Sequence, residues 1–115
     1  MNEIHDLLFP ENSKNPEVSI IIPVHNQLQY TLNCLYSISN NTQGSYEIII
    51  VDDASSDSTI TTLDNIKNIT IMKNEQNQGF IRSCNSGASA GKGKYILFLN
   101  NDTIVTENWL PPLLE

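Results

Sequence analysis

The sequence predicts an α/β domain built on a doubly wound, mostly parallel sheet. Apolar, β-branched or aromatic runs of strand length recur at 18–24 (VSIIIPV), 46–51 (YEIIIV) and 95–99 (YILFL). These runs are nearly continuous in apolar character, as strands covered on both faces of a parallel sheet are. Segments with apolar residues at helical spacing lie between them. Alternation of strand and helix argues for βαβ units with right-handed crossovers.

Each element has its own signal. Residues 1–17 are polar, with a short apolar cluster at Ile4, Leu7, Leu8 and Phe9, and Pro10 and Pro16 interrupt structure there. They read as a short helical turn and an N-terminal tail or linker, with the domain proper at 18–115. The first strand is 18–24, ending at Pro23-Val24. Leu28, Leu32, Leu35 and Ile38 then predict a helix of about three turns, and 40–45 (NNTQGS) a turn. The second strand, 46–51, ends in Asp52-Asp53. Ser55 to Ser58 offers N-cap residues, and Ile60, Leu63 and Ile66 predict a short helix. A short third strand falls at 69–72, and 74–79 is a loop. Residues 80–90 form a helix rich in small residues, with Gly91 near its C-terminus. The fourth strand, 95–99, is followed by Asn100-Asn101-Asp102. Trp109 to Leu114 starts another apolar segment, broken by Pro111-Pro112.

Composition narrows the partners. The 115 residues make one domain's length and can enclose a core. Six basic against thirteen acidic residues give a net charge of −7. That balance excludes a nucleic-acid polymer as partner, because such binding needs a basic footprint. No run approaches the roughly 20 apolar residues of a membrane span. Residues 1–16 lack the basic and apolar regions of a signal peptide. The expected location is therefore cytoplasmic, or peripheral at a membrane in the full-length protein. The N-x-S/T triplets at Asn40, Asn68 and Asn101 read as chance products of an Asn-rich chain. Cys34 and Cys84 fall in helical segments with apolar neighbours and read as reduced core thiols.

In an open α/β sheet the ligand sits outside the carboxyl ends of the strands. Three such ends are polar here: Pro23-Val24-His25-Asn26, Asp52-Asp53 and Asn100-Asn101-Asp102. Parallel strands bring them to one edge. Neighbouring residues of a strand face opposite ways. Only one of the Asp52-Asp53 pair is thus expected to meet a ligand, and the other to satisfy backbone donors of the following loop. Asp102 is either a turn residue or a ligand for a hard divalent cation, with Asn100 and Asn101 offering neutral oxygens. His25 is a base, a ligand contact or a loop residue; His5 lies in the tail. Gly79 permits a turn or close backbone approach. Arg82, in the first turn after that glycine, is either solvated or paired with a phosphate or carboxylate. Neither G-x-G-x-x-G nor G-x-x-x-x-G-K-[ST] is present, which removes the main support for dinucleotide and P-loop readings.

Taken in order, four pieces resemble family 2 glycosyltransferases. They are Val18 through Asn26, Ile48 through Asp57, Asn77-Gln78-Gly79-Phe80 through Gly87, and Tyr95 through Thr103, where Asn100-Asn101-Asp102 stands in the place of a D-x-D motif. The resemblance covers Val18 to the end of the chain. It implies a GT-A fold and an inverting transferase that uses a nucleotide-diphospho-sugar with Mg²⁺ or Mn²⁺. By the same resemblance Pro23, Val24 and His25 line the nucleoside pocket, and Asp53 accepts a hydrogen bond from the base. Gly79 and Arg82 border the base or phosphate, Asn101 approaches the ribose or diphosphate, and Asp102 holds the metal. The acceptor is a saccharide, a lipid-linked group or a protein. The motif keeps only its last carboxylate, and no residue maps onto the family's general base. The chain thus looks like the donor-binding half of a larger enzyme, inactive alone. Two other readings stand beside it: a non-catalytic nucleotide-binding module, and a receiver-like signalling domain. The second lacks an acidic pair after its first strand and an Asp after its third.

Overall fold

The computed structural model describes residues 7–11 and 15–114. Four parallel strands form one sheet in the order β3-β2-β1-β4. They are β1 (Val18–Val24), β2 (Tyr46–Asp53), β3 (Thr70–Asn74) and β4 (Tyr95–Phe98), joined through α1 (Leu28–Asn41), α2 (Thr59–Leu63) and α3 (Phe80–Ala90). Every residue of β1 and β2 is buried, which is why both read as nearly unbroken apolar runs.

Alternation sorts side chains onto two unequal faces. Ile20, Ile22, Ile48 and Ile50 join Leu35 and Ile38 of α1 and Leu63 of α2 in the larger core. Ile21, Ile49 and Val51 form a small second cluster, with Met72 packed against it. The second face belongs to α3. A Cβ on Gly87 would collide with the side chains of Ile21 and Val51, so the small residue sets how closely α3 lies on the sheet. Gly87→Ala is expected to destabilise the fold by about 2 kcal/mol through overpacking, read as a lowered urea midpoint.

The far end of that face is tied by polar groups. Ser19 donates to the Glu47 carboxylate, which also accepts the Lys92 backbone N–H at 2.6 Å, and the Ser19 hydroxyl accepts from the Gly93 N–H at 2.8 Å. These bonds fasten the turn between α3 and β4 to the amino ends of β1 and β2. Outward of β1, Tyr95, Ile96 and Phe98 of β4 stand exposed.

Several boundaries differ from the sequence reading. The first helix continues to Asn41, because Asn41 Nδ2 donates to the Val105 carbonyl at 3.2 Å. The second strand includes Asp52 and Asp53, paired with Lys73 and Asn74 of β3. That strand therefore starts at Thr70 and runs to Asn74 rather than 69–72. The short helix stops at Leu63; Ile66 lies beyond it yet stays buried. The fourth strand ends at Phe98, and Pro111–Leu114 is a 3-10 turn. The expected helical turn falls partly outside the described residues, and 7–11 carry no helix. Leu7 and Phe9 instead enter the larger core, and the Leu8 backbone exchanges two hydrogen bonds with Ser39 Oγ.

Candidate functional site

Chain order reverses in the sheet between β1 and β4: β2 and β3 lie to one side of β1, β4 to the other. This is the topological switch point, where a crevice opens at the carboxyl ends of the strands. A cleft of about 300 Å³ lies there, lined by Pro23, Val24, His25, Asp53, Phe80, Ser83, Asn100, Asn101 and Asp102.

The loops after β1 and β2 are bound to each other. Asn26 and Gln27 adopt left-handed backbone (φ 56° and 59°), as does Ala54 (φ 58°). Asn26 Oδ1 accepts the backbone N–H groups of Ser56 at 2.7 Å and Asp57 at 3.2 Å, and the Asn26 N–H donates to Ser55 Oγ at 2.7 Å. His25 Nδ1 lies 2.6 Å from the Asp53 carbonyl oxygen, so Nδ1 is the protonated ring nitrogen.

The two aspartates divide their work as strand geometry requires. Asp52 turns to its own loop and accepts the Ser55 hydroxyl and, at 3.3 Å, the Ser55 N–H. Asp53 faces α3. Its Oδ1 accepts from Gln78 N–H at 2.6 Å and Asn74 Nδ2 at 3.0 Å, and its Oδ2 from Gly79 N–H at 2.9 Å. Burial raises the Asp53 pKa, but these three donors and the nearby His25 outweigh it and hold the carboxyl below its ordinary value. Gly79 has φ 87°, a conformation that favours glycine, and aims its N–H at Asp53.

The opposite wall is the turn after β4. Asp102 is exposed at its tip and Asn101 is half-buried. The Asn101 side-chain nitrogen donates to Thr31 Oγ1 of α1 at 3.1 Å, and Cys34 Sγ lies 3.9 Å from the Asn100 carbonyl oxygen. Burial, with the Asp102 charge adding to it, pushes the Cys34 thiol up to about 12. Both cysteines are free and buried.

The cleft thus gathers Pro23, Val24, His25, Asp53, Asn101 and Asp102. Gly79 reaches it through Asp53. Arg82 does not line it: its side chain faces a neighbouring cleft of about 610 Å³ and donates to Gln78 Oε1 at 3.4 Å. Sequence reasoning missed Phe80 and Ser83. Their signal was spacing: three apart in the first turn of α3, they share a face. Phe80 is exposed, whereas Ser83 is fully buried and accepts from Asn74 Nδ2 at 3.2 Å. Among the described residues no three His, Cys, Asp or Glu side chains gather as a metal cage, and no helix is long and apolar enough to cross a membrane.

Comparison with known proteins agrees with this architecture. An uncharacterized glycosyltransferase of Haemophilus influenzae is 36% identical over 103 residues, covering 86% of this chain and 32% of that protein. The crystal structure of S. aureus TarS 1-349 in complex with UDP-GlcNAc aligns with a TM-score of 0.77 at 24% identity, over 85% of this chain and 30% of that one. A mannosyltransferase from Pyrobaculum calidifontis, in complex with GDP-Man and Mn²⁺, aligns with a TM-score of 0.71 at 19% identity, over 83% of this chain and 30% of that one. The chain spans about a third of the length of these proteins. The four-stranded parallel sheet with helices on both faces is the GT-A architecture these structures share. The family model for glycosyl transferase family 2 matches residues 19–115, and the chain belongs to that family.

Proposed function

We propose that this chain forms the donor side of a glycosyl transfer, binding a nucleotide-diphospho-sugar across the switch-point cleft with a divalent cation at Asp102. The carrying observation is that His25 and Asp53, from the β1 and β2 ends respectively, face one cleft with Asn101 and Asp102, from the β4 end. In this reading Pro23, Val24 and His25 wall the nucleoside. Asp53 Oδ2 accepts a hydrogen bond from one protein donor, which leaves it capacity for an N–H of the base. Gly79 acts by holding Asp53 in place. Arg82 meets the donor only from the adjoining cleft.

The residues at the β4 turn fit a cation that the substrate helps to hold. One exposed carboxylate with an amide oxygen beside it suits Mg²⁺ or Mn²⁺, whose remaining positions go to phosphate and water. Such an ion, when bound, neutralises the departing diphosphate, which an acidic protein would otherwise repel. An acceptor hydroxyl attacks the face opposite the diphosphate and inverts the anomeric carbon. On this reading no residue of the chain is assigned as the base that takes its proton, and the chain alone is expected to bind the donor without turnover.

Calorimetric titration with UDP, GDP and their sugar conjugates, with and without Mn²⁺, tests the reading. Binding that Mn²⁺ strengthens is the expected result. Binding indifferent to Mn²⁺ would favour a non-catalytic nucleotide-binding module, and absence of nucleotide binding would end the donor-site reading.

A further inference from the structure

We infer that Thr31 of α1 is a positioning residue for the donor cleft, setting which atom of the Asn101 side chain faces the cation. The inference rests on the proposed donor site. The β4 turn offers a single carboxylate, Asp102, so the orientation of its amide neighbour decides whether a second oxygen is presented. Thr31 is fully buried, and its hydroxyl oxygen accepts the Asn101 side-chain N–H at 3.1 Å. An amide fastened by its nitrogen presents its carbonyl oxygen in another direction, and Asn101 lines the cleft. Three residues along α1, on the same side of the helix, Cys34 Sγ lies 3.9 Å from the Asn100 carbonyl oxygen. The helix therefore holds the turn from behind at two successive residues.

This arrangement gives an Asn-Asn-Asp turn a defined oxygen beside Asp102 without a second negative charge. Without the Thr31 hydroxyl the amide is free to rotate, and its NH₂ group, which repels a cation, competes for the same position. Partners that orient a metal ligand in this way are worth about 10–100-fold in metal affinity.

The test compares the chain with Thr31→Val, which keeps shape and loses the hydroxyl, and Thr31→Ser, which keeps the hydroxyl. Mn²⁺ affinity in the presence of UDP is read from the signal of free Mn²⁺ by electron paramagnetic resonance. Thr31→Val is expected to weaken it by about tenfold, with Thr31→Ser within about twofold of the parent. The Asn101 side-chain amide protons, followed by NMR without ligand, give a second reading. Their exchange is expected to accelerate in Thr31→Val and return to the parent rate in Thr31→Ser. Unchanged Asn101 exchange in Thr31→Val, or Mn²⁺ affinity equal to the parent's, overturns the positioning role, as does a Thr31→Ser variant as impaired as the valine. Should the parent chain bind no Mn²⁺ with UDP, the proposed function fails. The exchange rates then decide by themselves whether Thr31 orients Asn101.

Discussion

Asp53→Ala is expected to loosen the start of α3 from the sheet and to lower stability by about 2 kcal/mol, the scale of losing a multiply bonded carboxylate beside solvent. The substitution leaves the Gln78 N–H without its acceptor and takes one of two acceptors from the Gly79 N–H and the Asn74 amide, which keep Asn77 Oδ1 and Ser83 Oγ. Under the proposed donor-site reading nucleotide affinity is expected to fall with it, because Asp53 and Phe80 wall the same cleft. Urea unfolding measures the first effect and UDP titration the second. The pH dependence has a fixed sign. The folded carboxyl titrates below its unfolded value of about 3.9, so its contribution is complete above that pH and is lost as pH falls through the folded value. Asp57, lowered chiefly by the Thr59 hydroxyl, shares that sign. Asp53→Ala should therefore lose less stability than the parent on acidification below about pH 4. An equal loss in both proteins would show that Asp53 does not carry the acid dependence.

Under the proposed donor-site reading, Asp102→Ala is expected to act on chemistry and to leave the fold intact. Its carboxylate is exposed at the tip of the β4 turn, so its removal breaks no packing. If Asp102 holds the cation as proposed, its loss in a transfer-competent protein is expected to reduce transfer by about 100-fold or more, equivalent to about 3 kcal/mol of transition-state stabilisation. UDP binding should persist but lose its response to Mn²⁺. Steady-state transfer rates alongside thermal midpoints check this. Full activity with an unchanged midpoint would remove Asp102 from the metal role.

Of the three runs whose apolar character predicts a strand covered on both faces, β1 and β2 are so covered, whereas β4 lies at the sheet edge with Tyr95, Ile96 and Phe98 exposed. β1 and β2 read as nearly unbroken apolar runs because both faces are covered. β3 was displaced because Lys73 and Asn74 are polar, and they become strand only by pairing with Asp52 and Asp53. Asn41 resembles a turn residue until the Val105 carbonyl, 64 positions later, accepts its amide. At the site, strand direction alone brought three polar ends together. The donors to Asp53 lie 21 to 26 residues downstream, and no local spacing reveals them. Arg82 was drawn toward the cleft by its nearness to Gly79. Helical rotation turns it aside, since Phe80 and Ser83 share the face that meets the cleft.

The unequal faces of the sheet bear on how the molecule opens. The α1 side is held by a large apolar cluster, whereas α3 rests on three buried aliphatic side chains and on carboxylates at each end of β2, Asp53 above and Glu47 below. Elements with little apolar burial separate at the lowest free energy and do so as cooperative units. The α3 layer is such a unit, and it carries one wall of the cleft while α1 buttresses the other. A ligand spanning both walls would draw its binding energy partly from suppressing that partial opening, so occupancy and the ordering of α3 would rise together.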